Sequence, residues 1–286
     1  MRTGIKGHTA ALAVALIAVA GAAGALESKD TEHRSFDLAR SAGARTVIVD
    51  NVFGSVRVHA GAGDRVEVVI EKTIRGSDAA AIARARQEVT LGVTEKPGRL
   101  ELVQEGPFRD RGQGGRDAHW RELGYEVDWS WDVTMPADAA VEASTVNGEA
   151  LEIDGVRGEV SASSVNGNVR LSDVGGRATA TTVNGDVAAT FTVPLASPAR
   201  FETINGEIDL AFPKGFGAEL AFSTLHGEVY TDFPSTLAAQ PARVEAETHG
   251  SAHRFRIGRD SVVRLGEGGP RLECSTINGD IVIRER

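Results

Sequence analysis

Few residues in this chain have the types and spacing that reaction chemistry needs. His249 and His253 stand four apart, the spacing of two metal ligands on one helix face. Gly250 lies between them, so Glu247-Thr-His-Gly-Ser-Ala-His reads as a turn, and no further ligand cluster accompanies it. No G-x-S-x-G elbow, phosphate loop, H-E-x-x-H pair or dinucleotide fingerprint occurs. Carboxylates are plentiful, but none is set apart from a solvated face as an acid–base pair. Cys274 is the only cysteine, so no intramolecular disulfide can form, and its place in an apolar column of the repeat below points to an inert buried thiol. No catalytic residue, metal or cofactor is expected. The side chains best suited to hold a ligand are Arg109, Arg111, Arg116, Trp120 and Arg121, in a glycine- and charge-rich loop between Glu105 and Gly124. Guanidinium forks beside an exposed Trp suit carboxylates or carbohydrate, and a solvated, unstructured loop is the competing reading.

The elements that would carry such a loop follow from an internal repeat. Thr145-Val-Asn-Gly-Glu, Ser164-Val-Asn-Gly-Asn, Thr182-Val-Asn-Gly-Asp, Thr203-Ile-Asn-Gly-Glu, Thr224-Leu-His-Gly-Glu and Thr276-Ile-Asn-Gly-Asp restate one phrase. Their glycines are 19, 18, 21 and 21 residues apart, and then 52 residues separate Gly227 from Gly279. Thr248-His249-Gly250 reads as a worn copy inside that gap, and Asn51-Val-Phe-Gly54 as a distant early one. Val141, Val160, Ala178, Ala199, Leu220 and Leu272 stand four residues before the Ser/Thr, and Ala143, Ala162, Ala180, Phe201, Phe222 and Cys274 two before it. Mostly polar residues lie between, so each copy holds a strand with one buried face, and a second strand follows the glycine.

Asn-Gly between alternating strands is also the strongest hairpin signal. In a two-residue hairpin, however, the aliphatic before each Asn would pair with the acid after each Gly and be left in water. A corner that turns those aliphatics inward is the expectation instead. Copies then stack in register about 4.8 Å apart, and Asn147, Asn166, Asn184, Asn205, His226 and Asn278 form a structural ladder. Gly follows because the turn needs positive φ or leaves no room for a side chain. The residues after Gly, namely Glu149, Asn168, Asp186, Glu207, Glu228 and Asp280, form an acidic line that is either well solvated or collects cations. The Gly-Gly-x-Gly-x-Asp pattern of calcium-loaded β-rolls is absent.

Arg2 and Lys6 precede an apolar run from Ala10 to Ala20, and Ala23-Gly24-Ala25 offers small residues for cleavage, so residues 1–25 read as a secretory signal peptide. The 286-residue chain has 31 basic and 40 acidic residues, a net charge of -9, and without residues 1–25 the balance is 29 against 40, or -11. That acidity excludes a nucleic-acid binder, which needs clustered cations, and no stable membrane anchor is expected after cleavage. Aromatics at 5% leave the core to small and branched aliphatics. From Phe36 to Gly76 the chain is strand-like. Ser77 to Glu88 reads as a helix capped by Ser77, and strands are expected over Val89 to Thr94, Arg99 to Gln104 and the aromatic alternation Tyr125 to Val133. This region is the natural cover for one open end of the stack, with Arg284, Glu285 and Arg286 guarding the other. Gly258 to Pro270 reads as an irregular insertion.

The leader, Phe36-x-Leu38, the Val133-Thr-Met-Pro136 junction, the reiterated Asn-Gly-[Asp/Glu]-[Val/Ile] phrase and the ending Gly268-Gly-Pro-Arg-Leu-Glu-Cys-Ser-Thr-Ile-Asn-Gly-Asp-Ile-Val-Ile283 resemble the bacterial putative adhesin family. The resemblance implies an exported β-solenoid, related to the head domains of autotransporter adhesins, and lends no catalytic residues. The fold expected is therefore all-β: a single-stranded parallel β-solenoid, β-helix-like, with a short N-terminal helix and a strand-rich cap. Residues 34–135 would form the capping region and 136–286 the repeat, continuous with it. The function expected is a non-enzymatic, adhesin-like scaffold in the periplasm or on the cell surface, whose partner is an envelope glycan or protein. A polysaccharide-acting β-helix enzyme and an accessory module in envelope-stress sensing are the alternatives.

Overall fold

A computed structural model describes residues 15–19, 26–38, 44–109, 123–237, 244–249, 252–257 and 261–286, with backbone alone for 15–19, 237, 244–249, 252–257 and 261. Among the described residues the chain is mostly β, with one short α-helix and a large mixed sheet that is largely parallel. The elements before the repeat are β1 (Ala15–Val19), β2 (Leu26–Asp37), β3 (Thr46–Asp50), β4 (Val56–Gly61), β5 (Arg65–Gly76), α1 (Ala79–Glu88), β6 (Thr90–Lys96), β7 (Arg99–Glu105) and β8 (Tyr125–Pro136). The copies of the repeat supply β9 (Ala140–Asp154), β10 (Val160–Ser172), β11 (Ala178–Thr181), β12 (Val187–Thr190), β13 (Ala199–Glu202), β14 (Ile208–Phe212), β15 (Ala218–Ser223) and β16 (Val229–Thr231). Then come β17 (Ser235–Leu237), β18 (Val244–His249), β19 (Ala252–Ile257), β20 (Ser261–Leu265), β21 (Arg271–Ser275) and β22 (Ile281–Glu285).

Copies pair in parallel, like residue against like. Val141 lies beside Val160, Val160 beside Ala178, and Phe201 beside Cys274 in the first strands; Val169 lies beside Val187, Val187 beside Ile208, and Ile208 beside Ile281 in the second. The period-two alternation puts these aliphatics on the buried face of both strand sets. The early copy belongs to the same rows: Val47 pairs with Val141, Phe53 bridges to Asn147 and Val56 pairs with Leu151. On the far side of β4, β8 pairs antiparallel with β5 and β5 with β2, while α1 lays Ala81, Ile82 and Ala85 against them. Asp78, one residue later than expected, caps the helix by accepting from the Ala81 amide at 2.7 Å. Of the expected leader, Ala15–Val19 forms β1 against Glu27 to Thr31, and the cleavage site lies outside the described residues.

Three expectations are corrected. Among the described residues, the stretch between Tyr230 and Arg271 adds no further parallel copy: β19 and β20 run antiparallel to β16 and β15, β18 pairs with β19, and Thr248 and His249 sit on β18 opposite His253 and Ala252. His249 and His253 are thus on strands, where four residues apart has no helical meaning, and their side chains lie outside the described residues. The span from Gly258 to Pro270 contains a regular strand, β20. The last copy does not end the stack. β21 lies between β13 and β15, and β22 between β14 and β16, so Arg284 and Glu285 pair with Ala211 and Phe212 at the end of an inner strand rather than guarding the outermost one.

The core is also less purely aliphatic than the composition suggests. Few rings suffice because they are gathered: Phe191 stacks on Phe212 at 4.7 Å, Phe212 on Phe216 at 3.8 Å, and Phe233 meets Phe216 edge-on at 5.4 Å. In-register stacking brings rings from successive copies face to face, which scattered positions in a sequence do not reveal.

Candidate binding surface

The phrase Ser/Thr-aliphatic-Asn-Gly builds one corner of every copy, and its side chains divide by what the neighbouring copy offers. The Ser/Thr turns inward: Thr145, Ser164, Thr182, Thr203 and Thr276 are all buried. Each threonine hydroxyl donates to the carbonyl of a glycine in the adjacent copy: Thr145 to Gly54 (3.0 Å), Thr182 to Gly167 (2.9 Å), Thr203 to Gly185 (2.8 Å), Thr276 to Gly206 (3.0 Å) and Thr224 to Gly279 (3.1 Å). Ser164 is the exception, its buried hydroxyl having no partner. The glycines are there because copies touch backbone to backbone. A Cβ on Gly206 would sit 1.9 Å from the Gly185 oxygen, and one on Gly279 2.0 Å from that of Gly206. Positive φ occurs at Gly167, Gly185 and Gly279 but not at Gly206, so lack of room is the shared cause.

Because the threonine takes the inner place, the aliphatic after it points out. Val165 is 37% exposed, Ile204 41%, Ile277 42% and Leu225 51%, and Val52, Val146 and Val183 in the same row are half-buried. The expected inward turn is therefore reversed, although the pairing is parallel and no hairpin forms within a copy. A buried hydroxyl is tolerated because a glycine carbonyl meets it.

Beside this apolar row runs the amide row. Asn166 Nδ2 donates to Asn147 Oδ1 (2.9 Å), Asn184 to Asn166 (2.9 Å), Asn205 to Asn184 (2.8 Å) and Asn278 to Asn205 (2.7 Å). His226 ends it, its Nδ1 3.0 Å from Asn278 Oδ1. Since the Asn278 amide is already donating to Asn205, its oxygen is the acceptor, and His226 carries its proton on Nδ1. The acidic line follows. Asp186 Oδ1 accepts the Glu207 amide (2.9 Å), Asp280 Oδ1 the Glu228 amide (2.8 Å), and Asn168 Oδ1 the Asp186 amide (2.8 Å), so these side chains bridge copies as well as facing water. Burial, then Asp209, Asp186 and Asp280, push the Glu207 carboxyl above its ordinary value against the pull of Arg284. A shallow hollow of about 190 Å³ opens there, lined by Asn168, Arg170, Asp186, Ala188, Glu207 and Asp209. Among the described residues no group of three or more His, Cys, Asp or Glu could hold a metal ion.

The chain is similar to solved bacterial structures described as adhesins. A putative cell adhesion protein from Clostridium sporogenes is 13% identical, with 90% of this chain and 100% of that one covered and a TM-score of 0.41. A putative adhesin from Bacteroides fragilis is 10% identical (90% and 97% covered, TM-score 0.35), and a putative lipid binding protein from Parabacteroides distasonis 9% identical (90% and 96%, TM-score 0.32). No family model and no curated protein matches the chain.

Of the loop residues, Arg109 is committed elsewhere. Its Nη1 donates to Asp50 Oδ2 (2.7 Å), its Nη2 to the Asp50 carbonyl (2.8 Å) and its Nε to the Gln104 carbonyl, so it fastens the loop's first turn to β3 and β7. Arg111, Arg116, Trp120 and Arg121 lie outside the described residues. Phe108, just before Arg109, packs edge-on against Phe53 at 5.1 Å, and Phe53 heads the row that continues through Asn147. The loop is thus anchored at one end of the outward corner. Cys274 is buried, and burial, followed by Glu273, pushes its thiol pKa far up, which leaves it protonated and unreactive.

Proposed function

We propose that this chain is an exported, non-enzymatic, adhesin-like scaffold whose copies wind as a parallel β-solenoid, and that it binds an envelope or surface component along the outward corner. One observation carries the reading. The aliphatic before each Asn or His stays aliphatic from Val146 to Ile277 although it points out of the fold, where nothing in the packing asks for an apolar group. Six such residues at about 4.8 Å spacing make a stripe of roughly 24 Å. On one side the stripe is bordered by uncharged amides, which separate it from the acidic line beyond. A periodic surface suits a periodic partner such as an envelope glycan, through many weak contacts acting together. Non-enzymatic action is supported by the corner itself, whose polar groups are spent on hydrogen bonds between copies.

Retention of the chain from Leu26 onward on envelope fractions tests this. Replacing Ile204 and Ile277 by Lys is expected to lower retention at least tenfold with the melting temperature nearly unchanged. If retention survives that change but is lost on deleting residues 110–122, the contact belongs to the loop with Arg111, Arg116, Trp120 and Arg121. Unchanged retention in both variants would overturn the reading.

A further inference from the structure

The copy at the end of the sequence occupies a place that the order of the chain does not assign to it. The copies at 199–212 and 218–231 are consecutive, joined only by 213–217, yet they are held one layer apart by residues 271–285. The inserted segment is hydrogen-bonded on both sides: Thr203 N donates to the Ser275 oxygen and Thr276 N to that of Ser223, both at 2.9 Å, and Ile208 N to Asp280 and Ile281 N to Glu228, also at 2.9 Å. Its Leu272, Cys274, Ile281 and Ile283 are buried in the shared interior.

To enter, the chain crosses over the 213–217 link, and glycines make the crossing. A Cβ on Gly217 would lie 2.3 Å from the Gly268 oxygen, and one on Gly269 2.6 Å from that of Gly217. Gly266 and Gly268 hold φ of +55° and +84°. Without 271–285, the facing edges of β13 with β14 and of β15 with β16 would be bare parallel edges, open to strand addition. Nothing that fills this slot is peculiar to being attached to this molecule. Leu272, Cys274, Thr276, Asn278, Gly279 and Ile281 occupy the same columns as their counterparts in the neighbouring copy, and Thr276, Asn278 and Gly279 meet 203–206 as Thr203, Asn205 and Gly206 meet 182–185.

We propose that residues 271–285 are an exchangeable closing strand pair, and that the slot between 199–212 and 218–231 accepts the same segment from a second copy of this chain. The five residues Gly266 to Pro270, extended, reach roughly 17 Å, enough to leave the crossing for a neighbouring molecule. Reciprocal exchange closes a two-fold pair, and one-way exchange strings molecules together. The inference rests on strand pairing alone and is independent of what the corner binds.

Ala221 and Glu273 are register partners in adjacent strands, both off the buried face, whereas Thr179 is two layers from Glu273 in the same column, beyond disulfide reach. The test uses full chains carrying Cys274→Ala, since Ala occupies that column at Ala143, Ala162 and Ala180. One chain bearing only Ala221→Cys is refolded with a differently sized chain bearing only Glu273→Cys and then oxidised. A mixture of Thr179→Cys and Glu273→Cys chains is the control. The expected result is at least tenfold more disulfide-linked heterodimer in the first mixture than in the control, rising with protein concentration. A chain carrying both Ala221→Cys and Glu273→Cys should close on itself when dilute. Equal heterodimer in the two mixtures while that chain closes would overturn exchange, and failure of that chain to close would overturn the insertion itself.

Discussion

The N-terminal region and the repeat solve the same problem, joining strands distant in sequence, with opposite chemistry. Before Pro136 the joints are charged. Buried Arg45 donates to Asp64 (2.6 Å), Lys72 of β5 closes on Glu32 of β2, and Arg109 clamps Asp50. Along the corner of the repeat the joints are neutral: Thr to a glycine carbonyl, Asn to Asn. The difference follows from stacking. A residue facing its own counterpart about 4.8 Å away cannot be charged without repulsion of roughly 0.9 kcal/mol per pair even at water's dielectric, whereas an amide both gives and takes a hydrogen bond. In one row of the second strands ions alternate in sign: Arg57, Glu152 and Arg170 follow one another, and Glu152 accepts from both arginines at 3.0 and 3.2 Å. Where they do not alternate, around Glu207, a carboxyl pKa rises.

Breaking the backbone contact should cost most. Gly206→Ala drives a Cβ into the Gly185 carbonyl and is expected to lose at least about 3 kcal/mol, a fall in Tm of roughly 6–12 °C in thermal unfolding. Asn184→Asp puts a charge into the amide row and removes the donor to Asn166. A loss of about 1–3 kcal/mol at pH 7, partly recovered in acid as the new carboxylate protonates, would bear out the neutral rule, and an unchanged Tm would break it. Thr203→Val should cost about 1–2 kcal/mol by orphaning the Gly185 carbonyl, while Ser164→Ala, whose hydroxyl is unpartnered, should cost under about 0.5 kcal/mol in denaturant titration.

The smallest effects separate the regions by sign. Burial would raise the Glu32 pKa, but Lys72 and Arg34 outweigh it and hold the carboxyl below its ordinary value. Its contribution is therefore present above the unfolded pKa and fades as pH falls through the folded one. Glu32→Gln should cost about 1 kcal/mol at pH 7 and nothing at low pH. The raised pKa of Glu207 means the reverse: a penalty in force above the folded pKa and relieved as pH falls. Glu207→Gln should gain a few tenths of a kcal/mol at pH 7 and lose that advantage in acid or high salt. Shifts of the same sign in both variants would dissolve the contrast.

Much of this was legible along the chain. Two apolar columns at period two, such as Val141 with Ala143 and Val160 with Ala162, announce buried strand faces, and an Asn at a fixed place announces an amide row if copies stack. At one point the corner departs from the sequence expectation, for a reason that lies between copies. Threonine and valine have nearly the same shape, and which turns inward depends on whether a carbonyl waits there, which only the adjacent glycine supplies. The sequence offers Arg109 as a ligand-binding residue, but in the fold it holds Asp50, a partner 59 residues earlier that carries no sequence signal.

The sequence by itself determined the unit: a strand, a glycine corner too tight for a Cβ, and a second strand, because these depend on neighbours a few residues away and are repeated until chance is excluded. The order of units, the antiparallel return of β18 to β20 and the insertion of 271–285 were decided only in three dimensions. Every copy offers nearly the same edge to every other, so the motif specifies a fit without naming which copy makes it; that choice falls to the links, their lengths and the glycines that let one chain segment pass over another.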